Sequence, residues 1–131
     1  MKKTTANWLA GADYDVQTAE AMLKSKRYLY VVFMCHLAIE KALKALFAET
    51  HADVPPRTHD LLHLLRRVDL RPPDALLDFL CAINQASVPT RYPEDLAALV
   101  RQYPRRVASS YVAKTKRLLK WLRKDPRLAQ S

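Results

Sequence analysis

Three stretches of this chain carry side chains whose types and spacing can do chemistry. In "VVFMCHLAIEKALKALFAET", His36, Glu40 and Lys44 fall four residues apart. On a helix that spacing sets an imidazole, a carboxylate and an ammonium on one face. Such a stripe can line a polar cleft or a subunit seam. It can equally be structural, because Glu followed by Lys four residues on stabilises a helix by about 0.2–0.5 kcal/mol.

The second stretch is "RTHDLLH". His59 and His63 lie four apart, a spacing able to hold a metal, but no Glu adjoins His59 and no Cys is near enough to complete a site. No metal and no cofactor is therefore assigned, and two such histidines also serve as surface or capping residues. Arg57 precedes His63 with five residues between them. An Arg that stabilises a pentacovalent phosphorane, with His63 or His59 moving the proton, is enough for metal-independent RNA cleavage. In the third stretch, "TRYPED", Arg91 can bind phosphate and Tyr92 can stack a base. The competing reading makes it a helix entry, with Pro93 first, Glu94 and Asp95 in the first turn, and Tyr92 packed as a staple. That reading leaves Arg91 unexplained.

The elements that must position these groups are helices. Gly11 is the one glycine among 131 residues, against eight prolines. Hairpin turns and phosphate-cradling loops need glycine, so a sheet protein, a dinucleotide fold and a P-loop are excluded. Helices are expected from Thr5 to Lys24, from Arg27 to Thr50, over "HDLLHLLRRV", and from Pro73 or Asp74 to about Ala86. Two more are expected, from Pro93 to before Pro104 and then to about Lys124. On the first, Trp8, Leu9, Ala12, Val16, Ala19 and Leu23 make an apolar stripe, with Asp13, Gln17 and Glu20 facing away. The second is apolar nearly all round in its first half, as a central helix must be. Thr58 is the expected N-cap of the third, with Asp60 in its first turn. The sum is an all-α protein, an up-and-down bundle of four to five antiparallel helices in a single domain spanning residues 1–131.

Charge is distributed unevenly. Residues 1–100 hold twelve basic and twelve acidic side chains, whereas residues 101–131 hold ten basic residues against Asp125 alone. Arg106, Lys114, Lys116, Arg117, Lys120, Arg123 and Lys124 share one half of the last helix wheel, a basic face suited to nucleic acid or an acidic protein surface. A merely solubilising face has the same composition. Cys35 and Cys81 form no CxxC and sit among apolar neighbours, as reduced core thiols of a cytoplasmic protein do. The N-terminus has no apolar signal region, and the longest apolar run, Tyr28 to Cys35, is too short to span a bilayer.

Several pieces together resemble the HEPN domain, the higher eukaryotes and prokaryotes nucleotide-binding domain, over roughly residues 5–124. They are Trp8, Ala12, Asp15, Val16 and Ala19, then "FMCHLAIEKALKALF", "THDLLHLL" and "RYPED". The resemblance implies a helical bundle that forms homodimers, often encoded beside a minimal nucleotidyltransferase in a toxin–antitoxin-like pair. Many members are metal-independent ribonucleases that use an Arg and a His four to six residues apart at the dimer interface. Others bind nucleotides or RNA, or act as partners. In the ribonucleases that motif comes later in the bundle, near "NQASVPTRYP" here, and no His follows Arg91. The first expectation is therefore a nucleotide- or RNA-binding homodimer, with His36, Glu40, Lys44, His59, Arg91 and Tyr92 around one polar groove near the seam. The alternatives are a toxin-like endoribonuclease built on Arg57 and His63, and a protein–protein adaptor without a nucleic-acid ligand.

Overall fold

A chain with one glycine must close its helices with other residues, and the first turn shows how. In the computed structural model, which describes residues 1–86, 89 and 92–128, α1 (Lys3–Lys24) and α2 (Tyr28–Thr50) are joined by three residues. The Arg27 N–H donates to the Met22 carbonyl at 2.9 Å and the Lys26 N–H to the Leu23 carbonyl at 3.2 Å. Lys26 takes the left-handed φ of 63° that this reversal requires and that glycine usually supplies. At the other end, the Lys2 N–H donates to Glu49 Oε1 at 3.0 Å, and Lys2 Nζ donates to the Ala48 and His51 carbonyls. The start of α1 thus meets the end of α2, and the two helices are antiparallel.

α2 is the core. Val31, Val32, Ala38, Ile39, Ala42 and Leu46 are completely buried, and Phe47 and Cys35 nearly so. Each large apolar side chain hidden in this way contributes roughly 1.5–3 kcal/mol. Burial pushes the Cys35 thiol up to about 11, against a smaller lowering by its hydrogen bond with Thr115.

Beyond Thr50 the chain is extended through Pro55 and Pro56 until α3 (Leu61–Arg67). This helix is shorter than expected, and its cap differs. Asp60, not Thr58, is the N-cap, its carboxylate accepting from the Leu62 and His63 N–H groups at 3.1 and 3.3 Å. The Thr58 hydroxyl instead accepts from the Asp60 N–H. Asn84, near the end of α4 (Asp74–Gln85), fixes the choice by donating to Asp60 and accepting from the Leu61 N–H.

α5 (Leu96–Gln102) is capped by Asp95, which accepts from the Ala98 N–H at 3.1 Å. Pro93 is therefore not its first residue, and Tyr92, 76% exposed, is not a packed staple. α6 (Arg105–Arg123) buries Ala108, Val112, Thr115, Leu118, Leu119 and Leu122. It runs antiparallel to α1, since Lys116 pairs with Glu20 at 3.1 Å and Arg123 with Asp13 at 2.8 Å. Asp13 and Glu20 are thus solvent-accessible, as the wheel of α1 suggests, and also pair with cations of α6. Past α6, Arg127 chelates Asp125 and donates to the Val68 carbonyl at 2.7 Å, while Leu128 is buried.

The protein is an all-helical bundle. Among the described residues there are six helices and no strand, two of the helices being two-turn pieces inserted between longer ones.

Candidate functional site

The polar stripe of α2 converges on one carboxylate. Glu40, 5% exposed, receives Lys44 Nζ on Oε2 at 3.0 Å and His59 Nδ1 on Oε1 at 2.8 Å. His36 Nδ1 stands 3.9 Å from the same Oε1, beyond hydrogen-bond range. His36 and Lys44 are buried, at 1% and 8% exposure. The stripe is thus no open groove. Its one solvent-facing member is His59, whose side chain is 58% exposed.

His59 reaches Glu40 because residues 51–59 fold back along α2. At one end His51 stacks flat on Phe47, ring centroids 4.0 Å apart. At the other end His59 meets Glu40, about two turns back from Phe47 along the helix. An ionised carboxylate only accepts, so His59 Nδ1 carries the proton of this bond. The orientation leaves Nε2 as the ring's outer polar atom, able to accept a proton or donate one. A carboxylate behind an imidazole fixes ring and tautomer, the same device that orients metal-binding and catalytic histidines.

Lys44 is shared with α1, its Nζ lying 5.8 Å from the centroid of the Trp8 ring. A parallel ion pair follows along α2, where Lys41 Nζ meets Asp15 at 2.9 Å. Its stem crosses α1 at Gly11, where an added Cβ would come within 3.1 Å of Lys41 Cδ. The glycine is there for that crossing. The Asp15–Lys41 pair was missed in reading the sequence for chemistry. Its one signal was a carboxylate on the buried side of an otherwise apolar stripe.

Arg57 and His63 are not brought together. Arg57 is exposed in the extended segment, His63 is half-buried in the first turn of α3, and no hydrogen bond or ion pair joins them among the described residues. His59 and His63 do not share a helix face either, since α3 begins only at Leu61. No cluster of three metal-ligating side chains exists among the described residues. Arg91 lies outside the described residues, and Tyr92 stands exposed just before α5.

The basic face of α6 is partly neutralised within the molecule. Lys116 and Arg123 are paired with Glu20 and Asp13, and Lys114 lies 5.9 Å from the centroid of Phe79. Arg106, Arg117, Lys120 and Lys124 are exposed and make no ion pair among the described residues. Of the residues of that face, these four are left for a partner.

A sequence model of the HEPN domain matches residues 5–125. The chain belongs to the HEPN domain family. Its fold is that of solved HEPN-like bundles. TT1696 from Thermus thermophilus superposes with a TM-score of 0.80 at 24% identity, over 94% of this chain and 98% of that one. ST0689, an archaeal HEPN homologue, superposes with a TM-score of 0.74 at 26% identity, over 94% of this chain and 97% of that one. No curated protein matches this HEPN domain in sequence. Among its described residues, no helix is long and apolar enough to cross a membrane.

Proposed function

We propose that this HEPN domain is a nucleotide- or RNA-binding module, recognising phosphate as a homodimer beside a minimal nucleotidyltransferase in a toxin–antitoxin-like pair. The Glu40–His59 bond carries the reading. It spends a buried carboxylate on aiming one exposed imidazole, which a purely structural pair such as Glu40–Lys44 does not need. A ring held so offers Nε2 to a phosphate oxygen, and the unpaired cations of α6 supply the long-range attraction for a polyanion. The nucleotidyltransferase partner and the toxin–antitoxin-like setting rest on family resemblance alone.

The test is fluorescence anisotropy with labelled single-stranded RNA while KCl is raised from about 50 to 200 mM. The wild type should bind with log K falling linearly in log salt. His59→Ala should bind about tenfold more weakly, the scale of one charge-assisted hydrogen bond. Lys120→Glu should flatten the salt slope. RNA affinity that is the same in His59→Ala and wild type would refute the phosphate reading.

The same geometry favours a second reading, ribonuclease action through His59. Its Nε2 would take the 2′-hydroxyl proton as the 2′-oxygen attacks phosphorus, and the departing 5′-oxygen would collect a proton from solvent. Cleavage in EDTA, with 2′,3′-cyclic phosphate ends, should then vanish in His59→Ala and survive in His63→Ala.

A further inference from the structure

Between the start of α1 and the folded-back segment lies a cavity of about 380 Å³, within the range of small-ligand sites. Trp8, Ala48, Val54 and Pro55 supply its apolar wall, and Thr4 and Asp53 its polar rim. We propose that this cavity is a nucleobase subsite, with Trp8 as the aromatic platform, for the nucleotide whose phosphate the preceding section assigns to His59. The proposal rests on that reading.

Three observations converge on it. Val54 is 79% exposed at the edge of the cavity, a large apolar side chain left in water where a flat ring would cover it. Trp8 belongs both to the cavity and to the Glu40 cluster, through Lys44 Nζ at 5.8 Å. Trp8, Lys44 and Glu40 therefore link the cavity to His59. Ala48 in the cavity and Glu40, which holds His59, are eight residues apart on α2, about 12 Å along the axis, the distance that the sugar and phosphate must cover.

The charges orient the ligand. Asp53 repels phosphate and accepts from an exocyclic amino group, so the base belongs at this end. The sugar–phosphate then runs along the folded-back segment toward His59. Lys2 borders the cavity but is already committed, its Nζ bonded to the Ala48 and His51 carbonyls. An adenine ring satisfies both demands, a stacking face and an amino donor, whereas uracil offers no amino group.

The experiment uses the Trp121→Phe protein, in which Trp8 is the sole tryptophan fluorophore. It is titrated separately with adenosine, ribose 5-phosphate and adenosine monophosphate, with affinities also measured calorimetrically. Adenosine and the monophosphate should quench Trp8, and ribose 5-phosphate should not. Trp8→Leu should weaken the monophosphate about tenfold, as the loss of one base stack does, and leave ribose 5-phosphate unchanged. Val54→Asp, at an exposed position that folding does not need, should weaken it likewise. Equal affinity for the monophosphate and ribose 5-phosphate, or no effect of Val54→Asp, overturns the subsite. Quenching by adenosine with no gain from the phosphate keeps the subsite and refutes the phosphate reading. Binding of none of the three overturns both.

Discussion

Glu40 binds both Lys44 and His59, and its burial makes its energetics asymmetric. Its partner Lys44 is buried with it, so removing one member strands the other's charge away from water. Glu40→Ala should therefore cost roughly 3–5 kcal/mol, measured by urea unfolding. Replacing both by leucine should cost far less, because it removes two desolvation penalties together with one attraction. A double variant as unstable as Glu40→Ala would show that the cluster is a structural keystone. A stable double variant that no longer binds RNA would separate fold from function. Glu40 and Lys44 were readable as a pair from their spacing. Only the family resemblance sets His59 beside them, because spacing alone does not show a contact between residues nineteen apart across a turn that two prolines direct.

Helix ends are where the elements depart from sequence-based expectation, and the reason is tertiary. Thr58 and Asp60 are both good caps, and local preference does not separate them. Asn84 does, from another helix. The Asp60 carboxyl is nudged up by partial burial, yet the His63 N–H, the Asn84 amide and the Leu62 N–H together hold it below the usual carboxylate range. Its folded pKa lies under its unfolded one, so its contribution is present at neutral pH and is lost as pH falls through the folded value. Asp60→Ala should cost about 1 kcal/mol at pH 7, and the gap to wild type should narrow near pH 3 in matched urea titrations. Lys26, at φ 63°, offers the opposite change. Lys26→Gly should raise stability by roughly 0.5–1 kcal/mol, relief of left-handed strain outweighing the freer unfolded chain. A lower midpoint in denaturant would contradict that. The helices themselves were legible from periodicity, because α2 is apolar all round and α6 is divided cleanly between apolar and basic halves.

For the whole molecule, α5 presents exposed apolar side chains among the described residues. Leu96 and Val100, one turn apart on α5, are 57% and 43% exposed, and Tyr92, just before the helix, is 76% exposed. An exposed apolar pair of that kind is a candidate surface for the homodimer proposed above. Leu96→Asp should shift the mass measured by light scattering from dimer to monomer while circular dichroism stays helical. An unchanged mass would move the dimer surface elsewhere.

One long-range bond also bears on how the protein is made. The Val68 carbonyl at the end of α3 is held by Arg127, fifty-nine residues further on. At about 5–20 residues per second, a ribosome needs roughly 3–12 s to synthesise that interval. The hairpin of α1 and α2 can form throughout that interval, but with the α2 surface that α6 later covers still open to water. The nascent chain thus passes through a stage of seconds in which its most apolar helix is covered by α1 but not yet by α6, and a chaperone would find its target there.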